Sequence, residues 1–424
     1  MLDIRMIRNL AQEVQEAADR KGLNFDVNDL LDVDDRRRQL LIEVETLRAQ
    51  RNKRSDNITQ LLREGRKEDA EKEKLEAAAG LTRLKQAEAE LRTTEDEFEA
   101  LMFETPNLMS ADTPIGASDK DNVEVRRHGE IPAFPFKAKS HVEIGDSLGI
   151  VDIQRGVKIG GSRHYVLRNN GLLLHRAVQQ LALDLLADKG YHLFDVPVMV
   201  KEEALVATGF FPSNRDQTYS VNNGERWLAG TAEVPLVSLY GGEVLDLTEP
   251  LLLGAATPCF RSEVGSAGRD VHGLYRVHQF SKVEQVVICR AEDELSEELL
   301  QVMVKHSEEL LQLLELPYRV VAVCSGDMSQ KNHKQYDIET WMPSREAYGE
   351  THSASNVRDF QARRSRIRYR DEDGQLQFAY TLNNTMVASP RILIPLLENH
   401  QKEDGTVHVP EALWPYMRGM DRLC

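Results

Sequence analysis

The opening of the chain limits the fold more than any other stretch. Residues 1–105 contain no Trp, no Tyr and no Pro, and Pro106 closes the segment. Within it Leu40, Val44, Leu47, Arg51, Arg54, Ile58 and Leu61 follow alternating spacings of four and three. Leu84, Ala87, Leu91, Thr94, Phe98 and Leu101 repeat the pattern. Both are heptad seams, which are buried by packing against another helix. Gly65 and the charges beside it mark a reversal, so the spacing predicts an antiparallel helical hairpin with arms of about 40–50 Å. Arg51 and Arg54 occupy seam positions and should weaken the seam there. The first helix is rich in arginine, with Arg36, Arg37, Arg38, Arg48, Arg51, Arg54, Arg63 and Arg66. Such a row suits RNA phosphates, but acidic residues are interleaved, and a solvated helix surface fits equally well. A coiled coil used for dimerisation or as a spacer is the plainer reading of heptads alone.

Residues 105–130 read as a linker, with Thr105-Pro106 and Thr113-Pro114 turns before a charged run. From about 140 onward strand-like alternation sits among Gly/Pro turns and a few helices. Arg319–Val323, Gln335–Trp341 and Arg366–Arg370 are examples. Strands joined as hairpins predict an α+β domain, an antiparallel sheet flanked by helices. The expected division is residues 1–105 for the arm and 106–424 for the sheet domain. No G-x-G-x-x-G follows a strand and no P-loop sequence occurs, so neither nucleotide-binding fold is supported.

Net charge is 53 − 69 = −16, which by itself argues against nucleic-acid binding. A local patch weighs more than the total. Cys259, Cys289, Cys324 and Cys424 form no C-x-x-C pair, so neither a disulfide framework nor a zinc site is expected. No apolar run is long enough to span a bilayer, and Met1–Arg8 is charged unlike a signal or transit peptide. A cytoplasmic protein without membrane contact is expected.

One constellation carries chemistry. If residues 255–263 form a strand, Thr257, Cys259, Arg261 and Glu263 share a face. A second strand over Tyr275–Cys289 would present Arg276, His278, Phe280, Lys282 and Glu284. The connecting loop holds Gly265, Gly268 and Gly273 and suits closure over phosphates. Arginines bind phosphate oxygens through a planar fork, Phe280 offers a face for a base, and glutamates accept from amines. Against this stands a salt-bridged exposed sheet face. The pattern by itself supports a phosphate or nucleotide site.

Phe260-Arg-Ser-Glu263 together with Arg276–Glu284 resembles the second signature motif of class II aminoacyl-tRNA synthetases, in its seryl form. The chain is similar to the seryl-tRNA synthetase family along nearly its whole length. Met1–Arg8 resembles the family's opening, and Glu104–Asn107 and Asp121–Arg127 its join between arm and catalytic domain. Gly190–Pro197 resembles the first motif, which in the family builds the dimer interface. Gly230-Thr-Ala-Glu-Val-Pro235 resembles the serine-binding loop and Asn383–Gln401 the third motif. The resemblance implies a tRNA-binding arm and a class II catalytic domain that activates L-serine with ATP and loads tRNA(Ser), with tRNA(Sec) a candidate second acceptor. It implies a homodimer and Mg²⁺. By the same resemblance Thr231 and Glu233, two apart and so presented by one strand face, hold the serine amine, Glu284 bonds the serine side chain or amine, Asn383 lies beside them, and Thr385 bonds the serine hydroxyl. Arg261 bridges serine carboxylate and α-phosphate. Glu263 reads the adenine amino group, Phe280 and Arg391 flank the base with Val277 beside it, and Arg276 holds the terminal phosphates. Glu350 and Ser353 ligate Mg²⁺ or the phosphates. Arg261, Arg276 and Arg391 are the catalytic arginines.

The chain departs from the family's pattern in places. Asn384 and Thr385 stand where the bacterial form usually has Gly and Ser. Thr keeps the hydroxyl, and Asn tolerates unusual backbone angles. Pro395 falls in the third-motif helix, where a kink near Arg391 is expected. Thr351-His352 stand where Ile-Ser is common, and Ala354 is altered too. His352 is read as structural. The rivals are a paralogue that keeps the fold without activity, a relative that loads serine onto another carrier, and a coiled-coil interaction protein. The retained arginines, the retained arm and the ordered motifs argue against each in turn.

Overall fold

The computed structural model describes residues 1–264 and 273–424. Gly265 and Gly268 of the expected phosphate loop lie outside the described residues. The described chain divides into two compact units: Asp3–Asp19 with Asn24–Thr105, and Met1–Leu2 and Arg20–Leu23 with Pro106–Cys424.

The first unit is built on two long helices, α1 (Val27–Arg63) and α2 (Lys67–Glu104). Asp26 caps α1 by accepting from the Asn28 amide at 2.8 Å, which satisfies one of the free donors of a helix start. The chain reverses at Glu64–Arg66, where Gly65 takes the left-handed φ of 76° that costs glycine nothing. Thr105 is already extended, as a residue before proline must be. Leu40, Val44, Leu84, Ala87 and Leu91 form a buried seam between the helices. Between Leu47 and Leu61 the seam thins, as its arginines imply, and Leu61 and Ala70 are buried again beside the turn. Arg51 is exposed and bonds its neighbour Asn52. Arg54 crosses to Glu73 and Glu76. Arg36–Glu97, Arg48–Glu88 and Glu43–Arg83 cross the hairpin in the same way. These exposed pairs set register more than stability.

The second unit is organised by an eight-stranded sheet. Its strands in chain order are β1 (Val123–His128), β2 (His192–Phe194), β3 (Leu251–Phe260), β4 (Gln279–Cys289), β5 (Tyr318–Ala322), β6 (Lys334–Met342), β7 (Ala347–Asn356) and β8 (Tyr380–Ser389), and their spatial order is β1-β5-β6-β7-β8-β4-β3-β2. Every neighbouring pair is antiparallel except the edge pair β2–β3. The helices that matter most here are α3 (Asn170–Asp188), α4 (Glu233–Ser238), α5 (Asp293–Leu313) and α6 (Leu393–Asn399). Val283, Val287 and Cys289, the odd face of β4, join one large core with Leu181, Met303, Leu311 and Leu396 from the helices. Val286 and Ile288, on its even face, join a smaller core with Leu236, Leu253 and Ala255. The even face is therefore apolar at one end, and at the other it carries Phe280, Lys282 and Glu284.

The expected strands are shifted. Strand β3 ends at Phe260, so Arg261 and Glu263 lie beyond it, and β4 begins at Gln279 rather than Tyr275. Arg276 and Val277 therefore sit on the approach to the strand. The pairing of faces holds, because Cys259 faces Phe280, Thr257 faces Lys282 and Ala255 faces Glu284. The kink expected from Pro395 does not arise. Helix α6 starts at Leu393 and places Pro395 in its first turn, where the missing N–H is one the helix would not use. Asn384 needs no unusual backbone either; it lies in regular strand.

Candidate active site

Two β-bulges set which side chains meet. Between β4 and β8, Val283 pairs with Val387 and Glu284 with Thr385, leaving Met386 as an extra residue. Between β6 and β7, Ile338 pairs with His352 and Glu339 with Glu350, leaving Thr351 extra. An extra residue reverses the alternation beyond it. Asn383, Thr385 and Ala388 thus share one face of β8, although 385 and 388 differ in parity. Glu350 and Ser353 likewise come to one face of β7.

A cleft of about 500 Å³ opens over this face. Arg261, Glu263, Arg276, Val277 and Phe280 line one side of it, and Glu350, Thr385 and Arg391 the other. The Arg261 guanidinium lies over the Phe280 ring, 5.3 Å from its centre, and its Nε donates to the Gly230 carbonyl at 3.4 Å. Glu263 takes a left-handed φ of 51°, and its Oε2 accepts from Arg276 Nη1 at 2.8 Å. Arg391 donates to the carbonyls of Tyr275 and Glu350, each at 3.1 Å. Both Arg391 and Arg345 lie over the Tyr275 ring, at 4.4 and 3.9 Å. A second recess of about 790 Å³ shares Arg261, Glu263 and Arg276 and reaches Gly230 and Phe210.

Beside the cleft lies a buried polar cluster. Thr231 and Glu233 were expected on one strand face, but they form a helix start instead. Thr231 Oγ1 accepts from the Glu233 amide at 3.1 Å, and α4 begins at Glu233. Glu233 Oε1 accepts from Lys331 Nζ at 2.5 Å, Gln361 Nε2 at 2.6 Å and Asn383 Nδ2 at 3.0 Å. Glu284 is ion-paired with Lys282. Burial pushes the Glu284 carboxyl up, Lys282 pulls it down, and Glu233 pushes it up again. Thr231, Glu233, Glu284 and Asn383 are all buried.

Ser353 Oγ accepts from Gln335 Nε2 at 3.1 Å, and Arg391 Nη1 lies 3.4 Å from Glu350 Oε2. Opposite Ser353 stands Asp337, whose carboxyl is pushed up to about 8 by burial and then by the Glu350 charge. Among the described residues no group of three His, Cys, Asp or Glu is placed to hold a metal. His352 is buried, its Nδ1 lies 2.8 Å from Thr351 Oγ1, and burial lowers it to about 3.

Sequence reasoning left Tyr275, Lys331 and Gln361 without a role. Tyr275 borders the motif that was read, whereas Lys331 lies in a loop with no periodicity to announce it. Lys282 stood on the face already named, without a function.

The comparisons with known proteins agree with this geometry. Residues 218–400 match the model of the tRNA synthetase class II core domain (G, H, P, S and T), and residues 1–109 match the seryl-tRNA synthetase N-terminal domain. The chain is 45% identical to the serine–tRNA ligase of Deinococcus radiodurans, over all of this chain and 99% of that one. The chain belongs to the seryl-tRNA synthetase family. It is 44% identical to the serine–tRNA ligase of Thermomicrobium roseum, with 100% and 95% of the two chains covered. The crystal structure of the seryl-tRNA synthetase from Pyrococcus horikoshii complexed with ATP superposes with a TM-score of 0.92, at 36% identity, covering 100% of this chain and 99% of that one. The hairpin of α1 and α2 and the antiparallel-rich sheet are the seryl-tRNA synthetase architecture. The chain is a class II aminoacyl-tRNA synthetase.

Proposed function

We propose that the cleft over β4 and β8 carries out the serine–tRNA ligase reaction with the residues gathered there. The observation that carries this is one cleft lined together by Arg261, Arg276, Arg391, Phe280 and Thr385, with Arg261 over the Phe280 ring. No nucleophilic side chain is required. A serine carboxylate oxygen attacks the α-phosphorus of ATP, the bond to pyrophosphate breaks, and seryl-adenylate forms. The terminal ribose hydroxyl of tRNA(Ser) then attacks the acyl carbon, and AMP leaves. The protein positions the reactants and neutralises charge.

Arg261 bridges the serine carboxylate and the α-phosphate. Phe280 stacks on adenine, with Val277 at the edge of the base and Arg391 over its other face. Glu263 reads the adenine amino group and Arg276 takes the terminal phosphates, so their ion pair must part when ATP binds. Thr231, Glu233, Glu284 and Asn383 receive the serine amine. Thr385 bonds its hydroxyl, and a pocket built for a hydroxyl rejects alanine by about 10⁴–10⁵. The Glu350 carboxylate and Ser353 hydroxyl are oxygen donors on one strand face, a set that suits Mg²⁺. When bound, that ion supplies positive charge to the phosphates. Residues 1–105 serve as the tRNA-binding arm and 106–424 as the catalytic domain.

The chain acts as a cytoplasmic homodimer joined through Gly190–Pro197. Edge strand β2 and the exposed Leu193 and Met199 support the dimer; among the described residues no helix is long and apolar enough to cross a membrane. Sedimentation of the intact protein tests the dimer. Serine-dependent ATP–pyrophosphate exchange, beside alanine, threonine and cysteine, tests the chemistry. Arg261→Ala should lose roughly 2.7–4 kcal/mol of transition-state stabilisation while the fold persists. Normal exchange in that variant would remove Arg261 from the site.

A further inference from the structure

The buried polar cluster holds more charge than serine recognition requires. Glu233 and Glu284 are two carboxylates, and each already has an ammonium partner, Lys331 and Lys282 respectively. Lys282 lies on β4 and is fixed by its strand. Lys331 lies in the loop between β5 and β6, where a long side chain would ordinarily be free to swing. Its backbone is held instead. The buried Lys21 Nζ donates to the carbonyls on both sides of Lys331, Gln330 at 3.1 Å and Asn332 at 2.7 Å. Asn107 Nδ2 donates to the Lys331 carbonyl itself at 2.9 Å. The Lys331 ammonium lies 4.3 Å from the centre of the Phe210 ring, a cation–π contact, and its side chain is only 12% exposed.

All three donors to Glu233 use Oε1, and none of these bonds uses Oε2. Two of the three, from Gln361 and Asn383, are neutral amides. Lys331 is the charged one, and it offsets a carboxylate that is buried and electrostatically coupled to Glu284. Burial pushes the neighbouring Glu284 carboxyl up, and Lys331 is one of the charges that pull it down; without it that carboxyl takes up a proton more readily and attracts an ammonium poorly.

We propose that Lys331 is a positioning residue of the amino-acid site, holding Glu233 by Oε1 so that a charged carboxylate is aimed at the α-ammonium of serine. This rests on the assignment of Thr231 and Glu233 to that site. Lys21 and Asn107 act one step further out by fixing the loop that carries Lys331. Lys331 does not touch the reacting atoms, so its loss falls on serine binding and not on ATP.

The test uses the full-length protein and serine-dependent pyrophosphate exchange over a pH series. Lys331→Met should raise KM for serine by about tenfold or more, the scale of one charge-assisted hydrogen bond, with KM for ATP within about twofold. It should also move the acid limb of kcat/KM for serine to higher pH. Lys331→Arg should restore most of both, and Lys331→Gln, which keeps a donor without the charge, should restore neither. Should the Met variant fold poorly, the Gln variant carries the same comparison. A KM for serine that stays the same, or falls, in the uncharged variants overturns the proposal. Glu233→Gln run alongside separates the two levels. An unchanged KM for serine there removes the site assignment itself, whereas a raised KM beside a normal Lys331→Gln removes only the role of Lys331.

Discussion

Asn384 shows how a departure from the family's pattern is absorbed. Its side chain turns away from the cleft toward α5, where Nδ2 donates to the Met303 carbonyl at 2.8 Å and to Ser307 Oγ at 2.9 Å. Thr385, next along β8, faces Glu284 across the strand pair. Asn384→Asp should therefore destabilise the fold by about 3–5 kcal/mol, by placing an unpaired buried charge against a carbonyl oxygen. KM for serine should stay unchanged in whatever fraction folds. Urea unfolding and exchange kinetics on the same preparation check both halves, and a raised KM with normal stability would place this side chain in the site. Arg261, Glu263 and Phe280 were legible because their types and spacing match one chemistry. Lys331 and Gln361 were not, because they reach Glu233 from segments distant in sequence, and nothing local in either marks a partner for a carboxylate.

Elements were read better than their ends. The heptads gave both arm helices and the turn at Gly65, because burial in a two-helix seam has a period that survives in the sequence. Strand β4 was placed correctly over its apolar part and extended four residues too far at its start, since Arg276 and His278 continue the alternation after the ladder has ended. Thr231 and Glu233, two apart, fitted a strand face as well as they fit the start of α4, and propensity does not separate the two in so short a segment. The bulges at Met386 and Thr351 could not be foreseen, because register belongs to strand pairs. In the arm, Leu84 is 2% exposed within the seam. Leu84→Ala should cost the hairpin about 2–5 kcal/mol, seen as earlier proteolysis of residues 27–104 at unchanged pyrophosphate exchange. Deleting residues 36–100 should spare adenylate formation and abolish tRNA charging. Charging that survived the deletion would remove the arm from tRNA recognition.

Over the whole molecule, buried imidazoles govern the response to acid. Burial lowers His175, His306 and His333 from 6.5 to about 4 and His352 to about 3. As pH falls from 6.5 toward 4, the unfolded chain binds protons that these rings refuse, so stability falls. The raised carboxyls of Glu284 and Asp337 work in the opposite direction and are fewer. The midpoint of urea unfolding should drop between pH 7 and pH 5; a midpoint that held or rose would mean that these histidines are solvated. Acidic side chains outnumber basic ones in residues 1–105 as they do over the whole chain, whose net charge is −16. In the arm, Arg36, Arg48 and Arg54 already face carboxylates on the opposite helix. The two bulges also carry a counting rule for anyone who edits this chain or traces its descent. A single residue gained or lost inside β7 or β8 would exchange the cleft face for the core face over the rest of the strand, whereas a change of two would leave the faces in step. Length variation within these strands should therefore run in even numbers, and odd changes should be confined to the loops that join them.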